Sequence, residues 1–474
     1  MNIGAHDAVI VGAGLSGLAA AYALTRMGRD VIVLERSPRV GGRVETARRD
    51  GYLVEHGPTS LALPAPDAEG LIESLGIAGD RIDRGDGVRR RYLVRDGVIR
   101  ALPTSPFGLL GSSYFSIGGR LRLAAEPWIR PRDGDETVAD FARRRFGDEF
   151  ARRVFDPLVG GLYAGDPERL SVVALFPQLK RLEREHGSVS RGVLLALRAG
   201  RRGFGPASRR LVSFRRGLTH LSDSIAGTIR QRIRTDADVT RVERAAGGYR
   251  IGIRGHRGAT TITARAVVIA TPAPTAARLL GRLDPAAACA LATLDHPPLA
   301  VVALGWPRAA VSHPLDGLGA LIPRGEGRGI LGVLFSSTLF GARAPDGRVL
   351  LTAYVGGARQ PELAALRRDD LVGLVKDELR DLLGIRPDAE PEFCDVRYWR
   401  AGLPQPGLDH HARLEALRTA ERANPGLAIA GNYVAGVSTA SCIAAGYAAA
   451  DRIDSVLAGE PRSSQRVGRH CAVA

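Results

Sequence analysis

Three glycines near the N-terminus have the spacing of a turn that binds a dinucleotide. They lie in the run Gly12-Ala13-Gly14-Leu15-Ser16-Gly17, between an apolar run and an Ala/Leu-rich segment. The first glycine allows a tight turn, the second lets the backbone approach a pyrophosphate, and the third lets helix and strand pack closely. The following helix offers free N–H groups to the phosphates. Glu35, about 20 residues further on, ends the next apolar run, where its carboxylate can accept ribose hydroxyls.

Two further segments extend this predicted site. Residues 39–43, Arg-Val-Gly-Gly-Arg, combine glycines that permit close backbone approach to a diphosphate with arginines that donate charge-assisted hydrogen bonds. The alternative is an ordinary Gly-Gly turn on a basic surface. Near the C-terminus, residues 431–433, Gly-Asn-Tyr, lead through Gly436 into a helix that starts near Val437. The positive end of such a helix favours a negative charge beside it.

These segments resemble the flavin-binding motifs of the superfamily that contains amine oxidases, phytoene desaturases and protoporphyrinogen oxidases. The resemblance implies that the dinucleotide is FAD, bound non-covalently, and not NAD. The cofactor-binding residues that it implies are Gly12, Ala13, Gly14, Leu15, Ser16, Gly17, Glu35, Arg36, Gly42, Arg43, Gly57, Pro58, Thr59, Ser60, Val239, Trp399, Gly431, Asn432, Val437, Ser438 and Thr439.

A sharper resemblance, from residue 7 to about residue 453, is to the oxygen-dependent protoporphyrinogen and coproporphyrinogen oxidase family. It rests on residues 156–171, which contain Gly-Leu-Tyr-Ala-Gly-Asp, and on residues 176–188, 316–323, 332–337 and 354–359 in the family's order. It implies that a porphyrinogen loses hydride from a bridging carbon to flavin N5, three times over. O2 then reoxidises the flavin and yields peroxide.

The same resemblance implies a set of substrate contacts. Leu321, Leu334 and Tyr354 would line an apolar slot that sandwiches the ring. Arg91 would pair with a propionate, and Gly161 would let the backbone approach the macrocycle. Each residue has an alternative interpretation, as a core leucine, a strand aromatic or a solvated arginine. No residue is predicted as a general acid or base, and none as a metal ligand.

The sequence departs from the family pattern in three loops, at Arg216, Pro406 and Thr59, and we expect altered loop geometry near the flavin there. An amine oxidase on the same scaffold would need a lysine near flavin N5. Lys180 and Lys376 are the only lysines, and neither lies in a segment that resembles such a site. A carotenoid-type desaturase, or a non-catalytic carrier of flavin or porphyrin, would also be compatible with the flavin-binding motifs.

The formal net charge of +16 would suggest an anionic partner, but nearly all of the 66 basic residues are arginine, which biased genomic composition also explains. Nucleic acid is not expected, because no basic run is interleaved with aromatics. The four cysteines are scattered and no apolar run reaches the roughly 18 residues of a membrane span, so we expect a cytoplasmic protein.

Three interactions beyond substrate and O2 are hypotheses. Residues 107–110 with Tyr114 and Phe115, followed by Arg120 and Arg122, form a candidate interfacial element on the cytoplasmic membrane face, and a buried loop is an equal alternative. Hand-over of product to a chelatase and a homodimer are the second and third. The sequence does not distinguish protoporphyrinogen IX from coproporphyrinogen III.

The strands and helices that must position the predicted cofactor and substrate residues indicate an α/β fold. We predict a Rossmann-type FAD-binding domain of the amine oxidase/p-hydroxybenzoate hydroxylase type, with a mixed-sheet substrate domain and an inserted helical subdomain. The FAD-binding domain is assigned residues 1–86, 206–272 and 391–458, and the substrate domain residues 87–106 and 273–390. The helical subdomain is assigned residues 107–205, and residues 459–474 form a loose tail.

Overall fold

The structure is a computed structural model that describes residues 3–103, 108, 111–199, 210–255 and 258–459. In these residues the strands are β1 (Ile3–Val11), β2 (Val31–Leu34), β3 (Thr46–Arg49), β4 (Tyr52–Glu55), β5 (Leu61–Leu63), β6 (Arg81–Asp83), β7 (Arg90–Arg95), β8 (Val98–Ala101), β9 (Arg210–Phe214), β10 (Ile233–Arg234), β11 (Asp238–Ala245), β12 (Gly248–Gly255), β13 (Gly258–Ile269), β14 (Leu299–Pro307), β15 (Gly317–Leu321), β16 (Gly332–Phe335), β17 (Arg348–Gly356), β18 (Phe393–Trp399) and β19 (Leu427–Ile429).

The described α-helices are α1 (Leu15–Arg26), α2 (Pro66–Ser74), α3 (Ile117–Ala124), α4 (Val138–Phe146), α5 (Asp148–Phe150), α6 (Asp156–Tyr163), α7 (Val172–Leu175), α8 (Pro177–His186), α9 (Val189–Arg198), α10 (Thr219–Thr228), α11 (Ala273–Leu280), α12 (Pro285–Ala292), α13 (Ser336–Leu339), α14 (Pro361–Ala364), α15 (Arg368–Leu383), α16 (His410–Ala423) and α17 (Thr439–Leu457). A π-helical turn, Ala151–Phe155, joins α5 to α6. Apart from Gly459, the predicted loose tail lies outside the described residues.

The first sheet contains the predicted dinucleotide unit. β1 pairs in parallel with β2 and β13, and β19 pairs in parallel with β13. Ala8 and Ile10 of β1 pack in the core formed with α1 and α17, while Val9 and Val11 pack in the core formed with α11 and α12. Burial on both faces explains why this strand is apolar without alternation.

The second sheet has the strand order β18-β14-β17-β16-β15-β7-β8. One of its faces packs against α15, where Val302 and Leu351 meet Val375. On the other face, Leu93 and Leu321 are covered by Tyr114 and Phe115 from the segment that leads into the helical subdomain. This second face carries the predicted substrate residues.

Tyr114 and Phe115 are each only 3% exposed, which agrees with the alternative of a buried loop for this pair. The membrane contact stays a prediction. The two side chains are buried because they close the apolar face of the second sheet. Phe107, Leu109 and Leu110, the other apolar members of that predicted element, lie outside the described residues.

Two boundaries in the structure differ from the predicted division of the chain. The helices α11 and α12 pack in a core of the first sheet, although the sequence assigns residues 273–390 to the substrate domain. The strand β18 pairs with β14 in the second sheet, although residues 391–458 are assigned to the FAD-binding domain. Both differences arise from long-range backbone pairing and packing, which local composition does not encode.

Candidate functional site

The glycine turn has the geometry that its spacing predicts. Gly12 has φ +101°, and a Cβ there would lie 2.8 Å from the carbonyl oxygen of Ala270. A Cβ on Gly17 would lie 1.9 Å from the carbonyl oxygen of Gly12. A Cβ on Gly14 would meet nothing within 4 Å, so open space adjoins this residue. The turn therefore packs tightly against the strand and leaves room for a phosphate beside Gly14.

Glu35 is buried next to this turn. Its carboxylate accepts hydrogen bonds from the backbone N–H groups of Ala13, at 2.8 Å, and Ser37, at 2.9 Å. The predicted acid thus lies against the turn, whereas Arg36 points to solvent. The α1 helix has no acidic residue in its first turn and no side-chain cap, so its positive end is free for an anion.

The second loop contacts the first. The backbone N–H of Gly41 donates to the carbonyl oxygen of Ala13 at 2.8 Å, and a Cβ on Gly42 would lie 3.1 Å from the Cα of Gly14. Arg43 is partly buried and lies over the ring of Trp399, 5.6 Å from its centroid. Burial lowers the pKa of Arg43, and no carboxylate among the described residues forms an ion pair with it. A desolvated guanidinium without an anion suits a diphosphate.

Residues 57–60 and the start of α17 converge on these loops. A Cβ on Gly57 would lie 1.9 Å from the carbonyl oxygen of Arg43, which explains the glycine. The hydroxyl of Thr439 donates to the carbonyl oxygen of Ser60 at 3.1 Å. Ser438 caps α17 and, as at α1, no acidic residue follows in the first turn. The other predicted cofactor residues here, Pro58, Thr59, Asn432 and Val437, are half-buried.

Three predicted cofactor residues remain, Val239, Trp399 and Gly431. Val239 is in β11, is only 4% exposed in the core, and its carbonyl oxygen accepts from the guanidinium of Arg278 at 3.1 Å. Trp399 ends β18 and donates from Nε1 to the carbonyl oxygen of His56 at 2.8 Å. Gly431 has φ +151°, and a Cβ there would lie 2.8 Å from the ring of Tyr433.

The substrate residues lie on one face of the second sheet. Leu321 pairs with Gly332, and Gly332 pairs with Tyr354 on the next strand. Gly332 separates Leu321 from Tyr354, and Cδ2 of Leu321 lies 3.3 Å from the position that a Cβ on Gly332 would take, so the leucine leans over the glycine. We call the apolar strip from Leu321 across Gly332 to Tyr354 the trough. Leu334, two residues along β16, shares this face. Thr59 and Leu334 line one small cavity, which joins the predicted cofactor and substrate residues.

Arg91 shares this face at the edge of the trough. Leu321 pairs with Leu93, and Arg91 precedes Leu93 by two residues, so all three side chains are on the same side. Burial and the nearby Arg84 lower the pKa of Arg91. No ion pair joins Arg91 to a carboxylate of the described residues. Arg90, on the opposite side, pairs with Asp316 at 3.5 Å and is not available in the same way.

Gly161 packs against this face from the helical subdomain. It lies on α6, and a Cβ there would lie 2.3 Å from Cδ2 of Leu321. Tyr354 is neutral, because burial and the neighbouring Glu55 raise the pKa of its phenol. The trough is therefore apolar with one cation on the same face, and this polarity suits an apolar ligand that carries a carboxylate.

The loops that depart from the family pattern keep their hydrogen bonds. The turn at Arg216 requires a left-handed residue at Gly217, whose φ is +89°, and the chain has glycine there. The backbone N–H of Ser171 donates to the carbonyl oxygen of Pro406 at 3.0 Å, and Gln405 donates to the carbonyl oxygen of Tyr163 at 3.0 Å. That these substitutions alter the loop geometry of the family stays a prediction.

Both lysines lie away from this face. Lys180 pairs with Glu136 at 2.7 Å inside the helical subdomain, and Lys376 pairs with Glu390 at 3.2 Å on α15, behind the second sheet. Among the described residues, no cluster of His, Cys, Asp and Glu side chains has the arrangement of a metal site. The sequence did not indicate Leu93, Arg84 or His56, because their positions depend on strand register and long-range contacts.

Comparisons with known proteins agree with this geometry. The family model for flavin-containing amine oxidoreductases matches residues 15–454. A chloroplastic protoporphyrinogen oxidase of Oryza sativa is 35% identical over 95% of this chain and 88% of its own length. Coproporphyrinogen III oxidase of Bacillus subtilis is 29% identical over 95% of this chain and 98% of its own.

Solved structures show the same fold. A candidate protoporphyrinogen oxidase of Exiguobacterium sp. 255-15 superposes with TM-score 0.81 at 24% identity, covering 97% of this chain and 100% of its own. In the part of the chain that the structure describes, no helix is long and apolar enough to span a membrane. The chain belongs to the flavin-containing amine oxidoreductase family and, within it, to the protoporphyrinogen and coproporphyrinogen oxidases.

Proposed function

We propose that this protein is an FAD-dependent oxidase of porphyrin biosynthesis that converts a porphyrinogen to the porphyrin and passes the electrons to O2. The observation that carries the proposal is the register of Leu321, Gly332 and Tyr354, which builds an apolar trough between Arg91 and the predicted flavin loops. When bound, the flavin supplies the hydride acceptor, and O2 takes the electrons from it to give hydrogen peroxide.

The chain's own residues bind and orient the substrate. Leu321, Leu334 and Tyr354 exclude water from the ring, and the carboxylate of a propionate would neutralise Arg91. Positioning of the bridging carbon accounts for most of the rate, and the three protons that leave with the three hydrides are not assigned to a particular side chain. The scattered cysteines, of which Cys289, Cys394 and Cys442 are free thiols, support a cytoplasmic location.

The purified protein should be yellow and, with a porphyrinogen in air, should produce porphyrin fluorescence and peroxide above the non-enzymatic rate. Arg91→Leu should raise KM by about 10- to 100-fold, because a hydrogen bond to a charged group contributes roughly 1.5–3 kcal/mol. Arg90→Leu is the matched control and should leave KM nearly unchanged. The assay should compare protoporphyrinogen IX with coproporphyrinogen III, whose additional carboxylates would also engage Arg84.

Bound FAD without porphyrin formation from either substrate would refute the oxidase proposal in favour of a carrier. Equal KM values for the Arg91→Leu and Arg90→Leu variants would refute the role of Arg91. An amine consumed in place of the porphyrinogen would indicate an amine oxidase.

We also propose contact with a membrane surface, through residues other than Tyr114 and Phe115. Ile117 and Leu121 lie one turn apart on α3 and are 70% and 68% exposed, and Trp128 is 77% exposed nearby in the chain. Arg130 is exposed next to Trp128, whereas the predicted cation Arg122 donates to backbone carbonyls of α4. This combination is typical of an interfacial element.

Vesicles that contain anionic lipid should co-sediment the protein, more at low salt than at moderate salt. The double variant Ile117→Ser/Trp128→Ser should lower binding about 10-fold or more, because it removes apolar area that enters the interface. Leu408→Ser, at another exposed apolar site, is the control. No sedimentation of the unaltered protein at either salt concentration would refute the contact.

A further inference from the structure

His56 lies between two carboxylates. Its Nδ1 is 2.9 Å from Oε1 of Glu45, and its Nε2 is 3.2 Å from Oδ2 of Asp395. A neutral imidazole carries one N–H, so either tautomer would direct the lone pair of the other nitrogen at a carboxylate oxygen. Only the imidazolium donates to both. The residue is 8% exposed, so water does not replace either contact easily.

The backbone of His56 joins the same segments. Its N–H donates to the carbonyl oxygen of Glu45 at 2.8 Å, and its carbonyl oxygen accepts from Trp399 at 2.8 Å. Gly57, the next residue, packs on the carbonyl oxygen of Arg43. His56 therefore connects the Arg-Gly-Gly-Arg loop, the loop of residues 57–60 and the end of β18.

The charges around His56 show why its proton matters. Glu45 also binds Arg39 and Arg397, the latter at 2.9 Å, so it keeps cationic partners if the imidazole is neutral. Asp395 would keep only a weaker cationic partner than Glu45 does. Arg49 attracts its carboxylate electrostatically, but the guanidinium of Arg49 donates to the carbonyl oxygen of Cys394. Glu55 is a further carboxyl group near the ring; burial raises its pKa, and the charge of His56 acts in the opposite direction. Loss of the proton would thus release the contact to β18 first.

We propose that His56 is held as an imidazolium and is a positioning residue for the cofactor, because its charge fixes the two flavin loops against β18. This role rests on the flavin binding proposed above and adds that the protein's affinity for FAD falls as His56 loses its proton. The family resemblance did not predict a role for this side chain.

The direction of the pH dependence follows from the local interactions. Burial acts to lower the pKa of His56, but hydrogen bonds to Asp395 and Glu45 outweigh burial and hold the pKa above its ordinary value of 6.5. The stabilising contact is therefore complete below the unfolded-state pKa and is lost as pH rises through the higher folded-state pKa. The cofactor should bind more weakly on the alkaline side.

The test measures FAD dissociation by flavin fluorescence between about pH 6 and pH 9, the range in which histidine can titrate. We expect the dissociation constant of the unaltered protein to rise about 10-fold across this range, the change that one pK unit of coupling gives. His56→Gln, which lacks the charge, should bind FAD about 10-fold more weakly at the acidic end, with a flat profile. His56→Lys, which restores a charge, should recover part of the affinity.

His6→Gln is the matched control, because His6 contacts one carboxylate, Asp30, and can do so as a neutral ring. It should keep the unaltered profile. If His56→Gln matches the unaltered protein in affinity and pH profile, the positioning role is wrong. If the unaltered protein binds no FAD, the cofactor proposal fails. The contacts of His56 with Glu45 and Asp395 can then be tested through the stability of the FAD-free protein. Its unfolding midpoint should exceed that of His56→Gln at low pH only, and equal midpoints throughout would overturn the inference.

Discussion

Replacing Gly17 with alanine should yield a protein that is purified without flavin. The new Cβ would lie 1.9 Å from the carbonyl oxygen of Gly12 and 3.2 Å from the Cβ of Ala270. The first of these is a backbone atom of the turn, so the turn must open and the first N–H groups of α1 must move away from the phosphate position. We expect the FAD dissociation constant to rise by at least about 100-fold, equivalent to about 2.7 kcal/mol.

Two other glycines make this result interpretable. Gly70→Ala, on the exposed side of α2 where a Cβ meets nothing within 4 Å, should leave FAD affinity unchanged and stabilise the protein by up to about 1 kcal/mol. Gly14→Ala should fold normally for the same reason, yet bind FAD weakly because its Cβ would occupy the open space at the turn. Stoichiometric flavin in purified Gly17→Ala would show that the diphosphate is bound elsewhere.

The dinucleotide unit could be predicted from the sequence because its parts are local. β1, α1 and β2 follow one another within residues 3–34, and the need for glycine at Gly12 and Gly17 arises from contacts with neighbouring segments of the same unit and with the strand end at Ala270. The helix that was expected to start near Val437 is α17, which begins at Thr439 and buries one continuous stripe of its surface.

The substrate face could not be derived in this way. Leu321, Gly332, Tyr354 and Arg91 come from four strands, and only the register of those strands brings them together. Family resemblance supplied most of these residues without supplying the register. It assigned no role to Gly332 or Leu93. The choice between an interfacial element and a buried loop at Tyr114 and Phe115 stayed open, because a sequence does not show what covers an apolar side chain.

His56 was missed for a related reason. Its two carboxylates are 11 and 339 residues away in the chain, so no local pattern marks it. Electrostatic clusters of this kind depend on where β18 pairs, and β18 is the strand whose sheet the sequence did not identify.

Replacing Arg145 with leucine should lower the free energy of unfolding by about 3–5 kcal/mol, the cost of leaving a buried charge without its partner. The side chains of Arg145 and Glu126 are both fully buried and form an ion pair. Glu126 also accepts from the hydroxyl of Ser188 at 2.6 Å and from two backbone N–H groups. Urea unfolding followed by far-UV circular dichroism measures the loss.

Arg143→Leu is the control on the same helix. Arg143 pairs with Glu168, and both side chains are exposed, so its loss should cost about 0–1 kcal/mol. The double variant Arg145→Leu/Glu126→Gln should recover part of the stability, because the buried carboxylate is no longer charged. If Arg145→Leu costs no more than Arg143→Leu, the buried pair does not stabilise the helical subdomain.

The effect of Arg145→Leu on activity should distinguish a role of the helical subdomain in substrate binding from a role in FAD binding. The subdomain holds Gly161 and Phe115 against Leu321, whereas the flavin loops belong to the first sheet and β18. When the subdomain loosens, water enters the trough and the porphyrinogen is no longer held against the flavin. Arg145→Leu should therefore retain FAD but lose porphyrin formation, the reverse of a variant such as Gly17→Ala that loses FAD first.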